Sequence, residues 1–175
     1  GRGVGSMPMA NAWAWPSKVV TGEVALAAMM AFAERLPGRV ADLAVVGHPL
    51  ELSHAWSAVY GALAAEIAAE MNLAEPMPIL AQLVAGSPVE AAVHDAYGKT
   101  LGANAYNLLG PDYVNTDLAH YLSPDVSGEY LDQYTLRTPK PHMPLYHLVG
   151  ALDPLTPSDV VSPVGDGLPE SLGPW

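Results

Sequence analysis

Ser87-Pro-Val-Glu-Ala-Ala-Val-His-Asp-Ala-Tyr-Gly-Lys-Thr-Leu-Gly-Ala-Asn-Ala-Tyr-Asn-Leu-Leu-Gly110 is the stretch on which the fold turns. Ser87 and Glu90 have the spacing of a capping box, and Pro88 falls in the first helical position, so a helix is expected to start here. Val89, Ala92, Val93, Ala96 and Tyr97 recur at steps of three and four and give it one apolar face. Gly102 is a left-handed stop. A second, short helix over 104–109 then closes at Gly110-Pro111.

Two further helices precede this stretch. One is expected over 23–36, with Leu26, Met29, Met30, Ala33 and Leu36 facing inward and Pro37-Gly38 ending it. The other spans 50–72, where Trp56, Val59, Tyr60, Leu63, Ile67 and Met71 share a face. Glu51, Glu66 and Glu70 fall largely on its opposite, solvent side. Composition changes near residue 119: 26 of the 27 Ala lie at or before it and nine of the 17 Pro after it. The first two thirds therefore read as helical, and the rest as strand, turn and extended segments. Met143-Pro-Leu-Tyr-His-Leu-Val149 reads as a short buried strand and 150–157 as the loop beyond it.

Composition narrows the function. The chain has 175 residues, half of them hydrophobic, and a net charge of −11. A disordered chain is excluded by that apolar content, and so acidic a surface repels phosphate backbones and anionic bilayers, so neither nucleic acid nor membrane is expected as partner. The longest strongly apolar stretches are about half of the roughly twenty residues a membrane span requires. There is no Cys, which removes disulfides and thiolate chemistry and fits a cytoplasmic location. The first residues carry no leader pattern, and neither end reads as a natural boundary, so a piece of a longer protein is expected.

The run from Val89 to Gly110 resembles the helix that closes the N-terminal capping domain in the mandelate racemase and muconate lactonizing enzyme branch of the enolase superfamily. The matching positions are Ala92, Asp95, Gly98, Lys99, Leu101, Gly102, Tyr106, Leu108, Leu109 and Gly110; His94 stands where Trp is usual, and Ala105 about where Pro is common. Met143-Pro144-Leu145-Tyr146 resembles the first barrel strand of such proteins, and Gly5-Ser-Met-Pro-Met9 with Asn11 and Trp13 resembles their mobile loop. The resemblance implies a chain that is mostly α as given: an incomplete α+β capping domain over 1–140, lacking its N-terminal sheet, joined to the start of a (β/α)8 TIM-type barrel over 141–175.

The resemblance also implies a chemistry for the whole enzyme. Such proteins abstract the proton α to a carboxylate with a Lys or His base, while Mg²⁺ stabilises the enediolate. The expected parent is a sugar-acid dehydratase or a racemase/epimerase acting on a small-molecule carboxylate, and a homo-oligomer. Its base and its three carboxylate ligands belong to strands outside these residues, so no catalytic or metal residue is assigned within 1–175. The substrate-binding candidates are Met9, Asn11, Trp13 and Trp15, spaced two apart in the loop, and His147 and Asp153 at the end of the first barrel strand. Trp13 and Trp15 serve equally well as packing for the loop. His147 reads also as a core histidine and Asp153 as a turn starter. The other reading of function is a non-catalytic helical interaction domain, or a split subunit lacking the active site.

Remaining features carry less. His48, His54, His120 and His142 show no metal-ligand spacing, so a zinc site is not expected. Gly1-x-Gly3-x-Gly5 lacks the dinucleotide fingerprint and reads as a strand-to-loop exit. Asp95 reads as structural, making a hydrogen bond or ion pair.

Overall fold

A computed structural model describes residues 1–144, 150 and 153–173. Among them the α-helices are α1 (Asn11–Ala14), α2 (Gly22–Ala41), α3 (Pro49–Glu70) and α4 (Ile79–Leu101). The chain falls into two units, Gly1–Thr138 and Pro139–Trp175.

α4 starts well before the Ser87 capping box. Ser87 lies inside it and donates to the Leu83 carbonyl at 2.8 Å, and Glu90 instead accepts from the Tyr60 hydroxyl at 2.9 Å. The true start is held by Gln82: its backbone N–H reaches Pro78 at 3.1 Å, and its buried side chain donates to Met77 at 2.8 Å. The apolar turns from Ile79 to Gly86 carry the helix through Pro88, whose missing N–H removes one internal bond. The end follows the sequence. Gly102 takes φ 64°, and Ala103 closes onto the Gly98 carbonyl at 3.0 Å.

α2, α3 and α4 pack on one another around Met29, Phe32, Leu36, Leu63, Ile67 and Ala81, all 1% exposed or less. The inward face of α2 is Ala25, Ala28, Met29, Phe32 and Leu36; Leu26 and Met30 are about 40% exposed. The expected face is thus rotated, because Phe32 takes the centre and meets Tyr60 edge-on, with ring centres 5.3 Å apart. Pro37-Gly38 does not end α2. The last turns are tied to α3 by Arg35–Glu70 at 2.6 Å and by Arg39–Glu66, and Val40 packs against the core. These exposed pairs set register more than they add stability.

The Gly1-x-Gly3-x-Gly5 strip is explained by close approach. It runs antiparallel along α4, and a Cβ on Gly3 would sit 1.7 Å from the Ala92 carbonyl oxygen; one on Gly5 would sit 2.0 Å from that of Pro88. Only hydrogen fits, because the obstructing atoms are backbone. Val4, between them, donates its N–H to Asp95 Oδ2 at 2.7 Å, and Lys99 holds the same oxygen at 2.6 Å. Gly3→Val is therefore expected to detach this strip while leaving the three long helices folded. Hydrogen exchange is the readout: the Val4 amide loses protection and the α3 amides keep theirs. Retained protection at Val4 sinks this account.

The expected α+β capping domain joined to the start of a barrel is not what forms. Among the described residues there is no strand. Where the sequence suggested extended segments, Asp117, Ser123 and Tyr130 open single 3₁₀ turns at Leu118–His120, Pro124–Val126 and Leu131–Gln133. Asp117 and Ser123 accept from the backbone two residues on, a local bond that competes with sheet pairing. The strip at 1–5 is extended but spends its contacts on a helix rather than on a neighbouring strand. Of the expected strand 143–149, Met143 and Pro144 are exposed and unpaired, and 145–149 lie outside the described residues. In the second unit, Thr156 and Asp159 cap a 3₁₀ turn at Pro157–Asp159, and Leu172 donates to Pro154 at 3.1 Å.

Candidate functional site

The loop proposed from spacing does not present its residues on one face. One helical turn, α1, breaks the alternation. Trp15 goes inward: it is 3% exposed, and its indole N–H donates to Glu75 at 2.7 Å. Met9 packs partly against the core. Asn11, the one polar handle, donates to the Gly22 carbonyl at 2.7 Å and joins α1 to α2. Trp13 alone points out, 85% exposed. Asp153 is exposed in the second unit and accepts from Gly150 N–H at 2.6 Å, a turn closure. His147 lies outside the described residues.

Spacing missed a cleft of about 440 Å³ beside α4, lined by Leu50, Ala91, His94, Tyr106 and Leu109 among others. His94 is its only titratable group apart from the Tyr106 phenol. The lining suits an apolar group with one hydrogen bond to an imidazole. The signal was present in the sequence at one of the two places where the run from 89 to 110 departs from its resemblance, His94 for Trp.

Next to the cleft, through His94, lie His48 and Glu51 at the start of α3. His48 is 2% exposed. Its Nδ1 accepts from Leu50 N–H at 3.1 Å, which places the proton on Nε2. That atom faces the Leu108 carbonyl, at a geometry too poor for a hydrogen bond. The ring stands edge-on to Tyr97 at 5.0 Å and to His94 at 6.0 Å. Glu51 completes a capping box by accepting from His48 N–H at 2.8 Å. It does not face solvent as its helical position suggested. Its carboxylate also takes Asn115 N–H at 2.8 Å, Asn115 Nδ2 at 2.9 Å and Thr116 N–H at 3.2 Å. Burial pushes this carboxyl up, but the donated bonds outweigh it and hold it below the usual carboxylate range.

Burial holds His48 below the ordinary histidine range, and neighbouring His94 adds to this; His94 is itself lowered by burial. The folded state therefore prefers both rings neutral. Above about pH 6.5 neither state binds these protons. Below it the unfolded chain binds them first, so stability falls with falling pH. His48→Asn keeps an acceptor at the helix start and removes one titration. Its unfolding free energy is expected to decline less steeply between about pH 7 and 5. An unchanged slope in urea titrations across that range sinks the assignment.

Among the described residues no group of three or more His, Asp or Glu is placed to hold a metal ion. The residues present do not fit Mg²⁺ as a resident ion, and no step is assigned through it. No helix among them is long and apolar enough to cross a membrane. No family model, no curated protein and no solved structure matches this chain.

Proposed function

We propose that this helical unit is the substrate-covering part of a Mg²⁺-dependent enzyme that abstracts the proton α to a carboxylate, of the mandelate racemase and muconate lactonizing enzyme kind. On this reading the enzyme is a sugar-acid dehydratase or a racemase/epimerase, and the metal and base come from residues outside 1–175. The observation that carries it is Trp13: a large aromatic left 85% exposed on an arm fixed at both sides. Upstream, Asp95 holds Val4; downstream, Asn11 holds Gly22 and Trp15 is buried. An anchored, uncovered indole can close over a bound acid and exclude water from it. The motif residues behind the resemblance support this arm: Asp95 and Lys99 pin it, and Gly98 leaves room for the backbone at Ala103 and Ala105.

The test uses the protein expressed from its uninterrupted natural reading frame, loaded with Mg²⁺. A panel of acid sugars and hydroxy acids in deuterated water is followed by NMR for exchange at the α-carbon. One acid is expected to exchange, and Trp13→Ala is expected to lower kcat/KM about ten- to a hundredfold, the worth of one buried aromatic side chain. No exchange with any acid, or an unaltered kcat/KM in Trp13→Ala, overturns the reading.

The second reading, a non-catalytic helical interaction domain or split subunit, is favoured by the start of α4, where Ile79, Leu80 and Leu83 are 74%, 53% and 49% exposed. A stable, cooperatively unfolding monomer without exchange activity supports the interaction-domain form.

A further inference from the structure

Two histidines far apart in the chain meet on the surface of the first unit. His54 lies on α3 and His120 at the end of the 3₁₀ turn Leu118–His120, and their ring centres are 5.1 Å apart with planes at 67°. Both residues are exposed, and among the described residues neither ring nitrogen is engaged in a hydrogen bond. Two imidazoles on one tetrahedral ion, each nitrogen about 2.0 Å from it, hold their ring centres roughly 5 Å apart. The observed separation of the ring centres matches that spacing.

Both rings are carried on hydrogen-bonded backbone. His54 sits in the second turn of a 22-residue helix. Around His120, Asp117 accepts from Ala119 N–H at 3.1 Å and from Gly128 N–H at 2.7 Å, and Leu118 N–H reaches the Glu129 carbonyl at 2.8 Å. Tyr121 stands edge-on to both rings, at 5.3 Å from His54 and 4.9 Å from His120. Its hydroxyl is paired with Thr116 Oγ1 at 2.7 Å, and Thr116 is held in turn by Glu51. A phenol so placed backs the pair on one side and limits the orientations open to the rings.

We propose that His54 and His120 form a two-imidazole site for a borderline divalent cation of the Zn²⁺ or Ni²⁺ class, with water completing the coordination. Imidazole donors suit these ions and not Mg²⁺, whose ligands are oxygens, so this site is separate from the metal named for the parent enzyme. The absence of a third His, Asp or Glu at the pair among the described residues leaves the ion open to an exogenous ligand. An ion here also clips α3 to the 118–120 turn.

The test is calorimetric titration of the purified chain with Zn²⁺ alone, then Ni²⁺ alone, in a non-chelating buffer. One ion per chain is expected. His54→Gln and His120→Gln should each weaken binding by at least the ~10-fold that loss of an outer-shell partner costs. His142→Gln, in the other unit, should leave it unchanged. Both substitutions in the pair are at exposed positions, and circular dichroism checks that the helices persist. Saturating Zn²⁺ should also raise the melting temperature of the wild type, because it binds only the folded pair, and should not raise that of the double variant. No saturable binding, or binding that survives in the double variant, overturns the proposal.

Discussion

Phe32→Ala is expected to cost about 3–5 kcal/mol of unfolding free energy, the range for emptying a fully buried aromatic site. Phe32 is the chain's only phenylalanine and is 0% exposed. It is the side chain through which α2 reaches the middle of α3, by its edge-to-face contact with Tyr60. The gap cannot refill from Tyr60, whose hydroxyl is tied to Glu90 and whose ring lies against Gly86, where a Cβ would come within 2.3 Å of the phenol oxygen. A domain of this size carries about 5–15 kcal/mol in all, so the variant should be marginal at room temperature. Chemical denaturation followed by far-UV circular dichroism gives the value. A cost below about 1 kcal/mol shows that the three helices do not depend on this contact.

Glu51→Ala is expected to cost about 2–3 kcal/mol, combining a lost helix cap with several charge-assisted bonds discounted for partial exposure. The carboxylate gathers His48, Asn115 and Thr116, so its removal leaves the 115–116 segment unanchored as well as fraying α3. Glu51→Gln should lie between the two. The pH dependence has a fixed sign. Because the folded carboxyl is held below its usual range, its stabilisation is present above the ordinary carboxylate pKa and is lost as pH falls through the lower folded value. Glu51→Gln should flatten that acid limb. A cost for Glu51→Ala within about 0.5 kcal/mol of zero places Glu51 among ordinary surface residues and refutes the clamp.

Much of the helical framework was legible because periodicity reports a face buried over many turns. Trp56, Tyr60, Leu63 and Ile67 were identified in this way, and Gly102 was identified from its need for a left-handed backbone. Errors came where a local signal met a tertiary one. The Ser87–Glu90 spacing is a valid cap, yet the apolar turns before it extend α4, and Glu90 is claimed by Tyr60 from another helix. Phe32 was passed over in favour of the longer run of Leu and Met on the adjacent face. The strand expectation came from composition and local pattern and the barrel expectation from resemblance, and the described residues instead satisfy their backbone locally. Of the candidate loop, only Trp13 remained outward, because a single turn of helix at Asn11–Ala14 resets the period of two on which the spacing argument rested. His54 and His120 carry no mutual spacing at all; only folding brings them together.

The glycine strip has a consequence for how the chain is made. Val4 and Asp95 are separated by 91 positions, so the strip leaves the ribosome well before the helix it binds. At roughly 5–20 residues per second of elongation, that strip waits about 5–20 s for its groove to exist. During this interval it is a bare, unpartnered segment with open backbone donors and acceptors. Its three glycines, demanded by the groove, leave Val4 as its one apolar side chain with which to form a wrong contact in the meantime. The first unit should therefore close last at its own beginning, with α2 and α3 already paired before the amino-terminal strip is laid down.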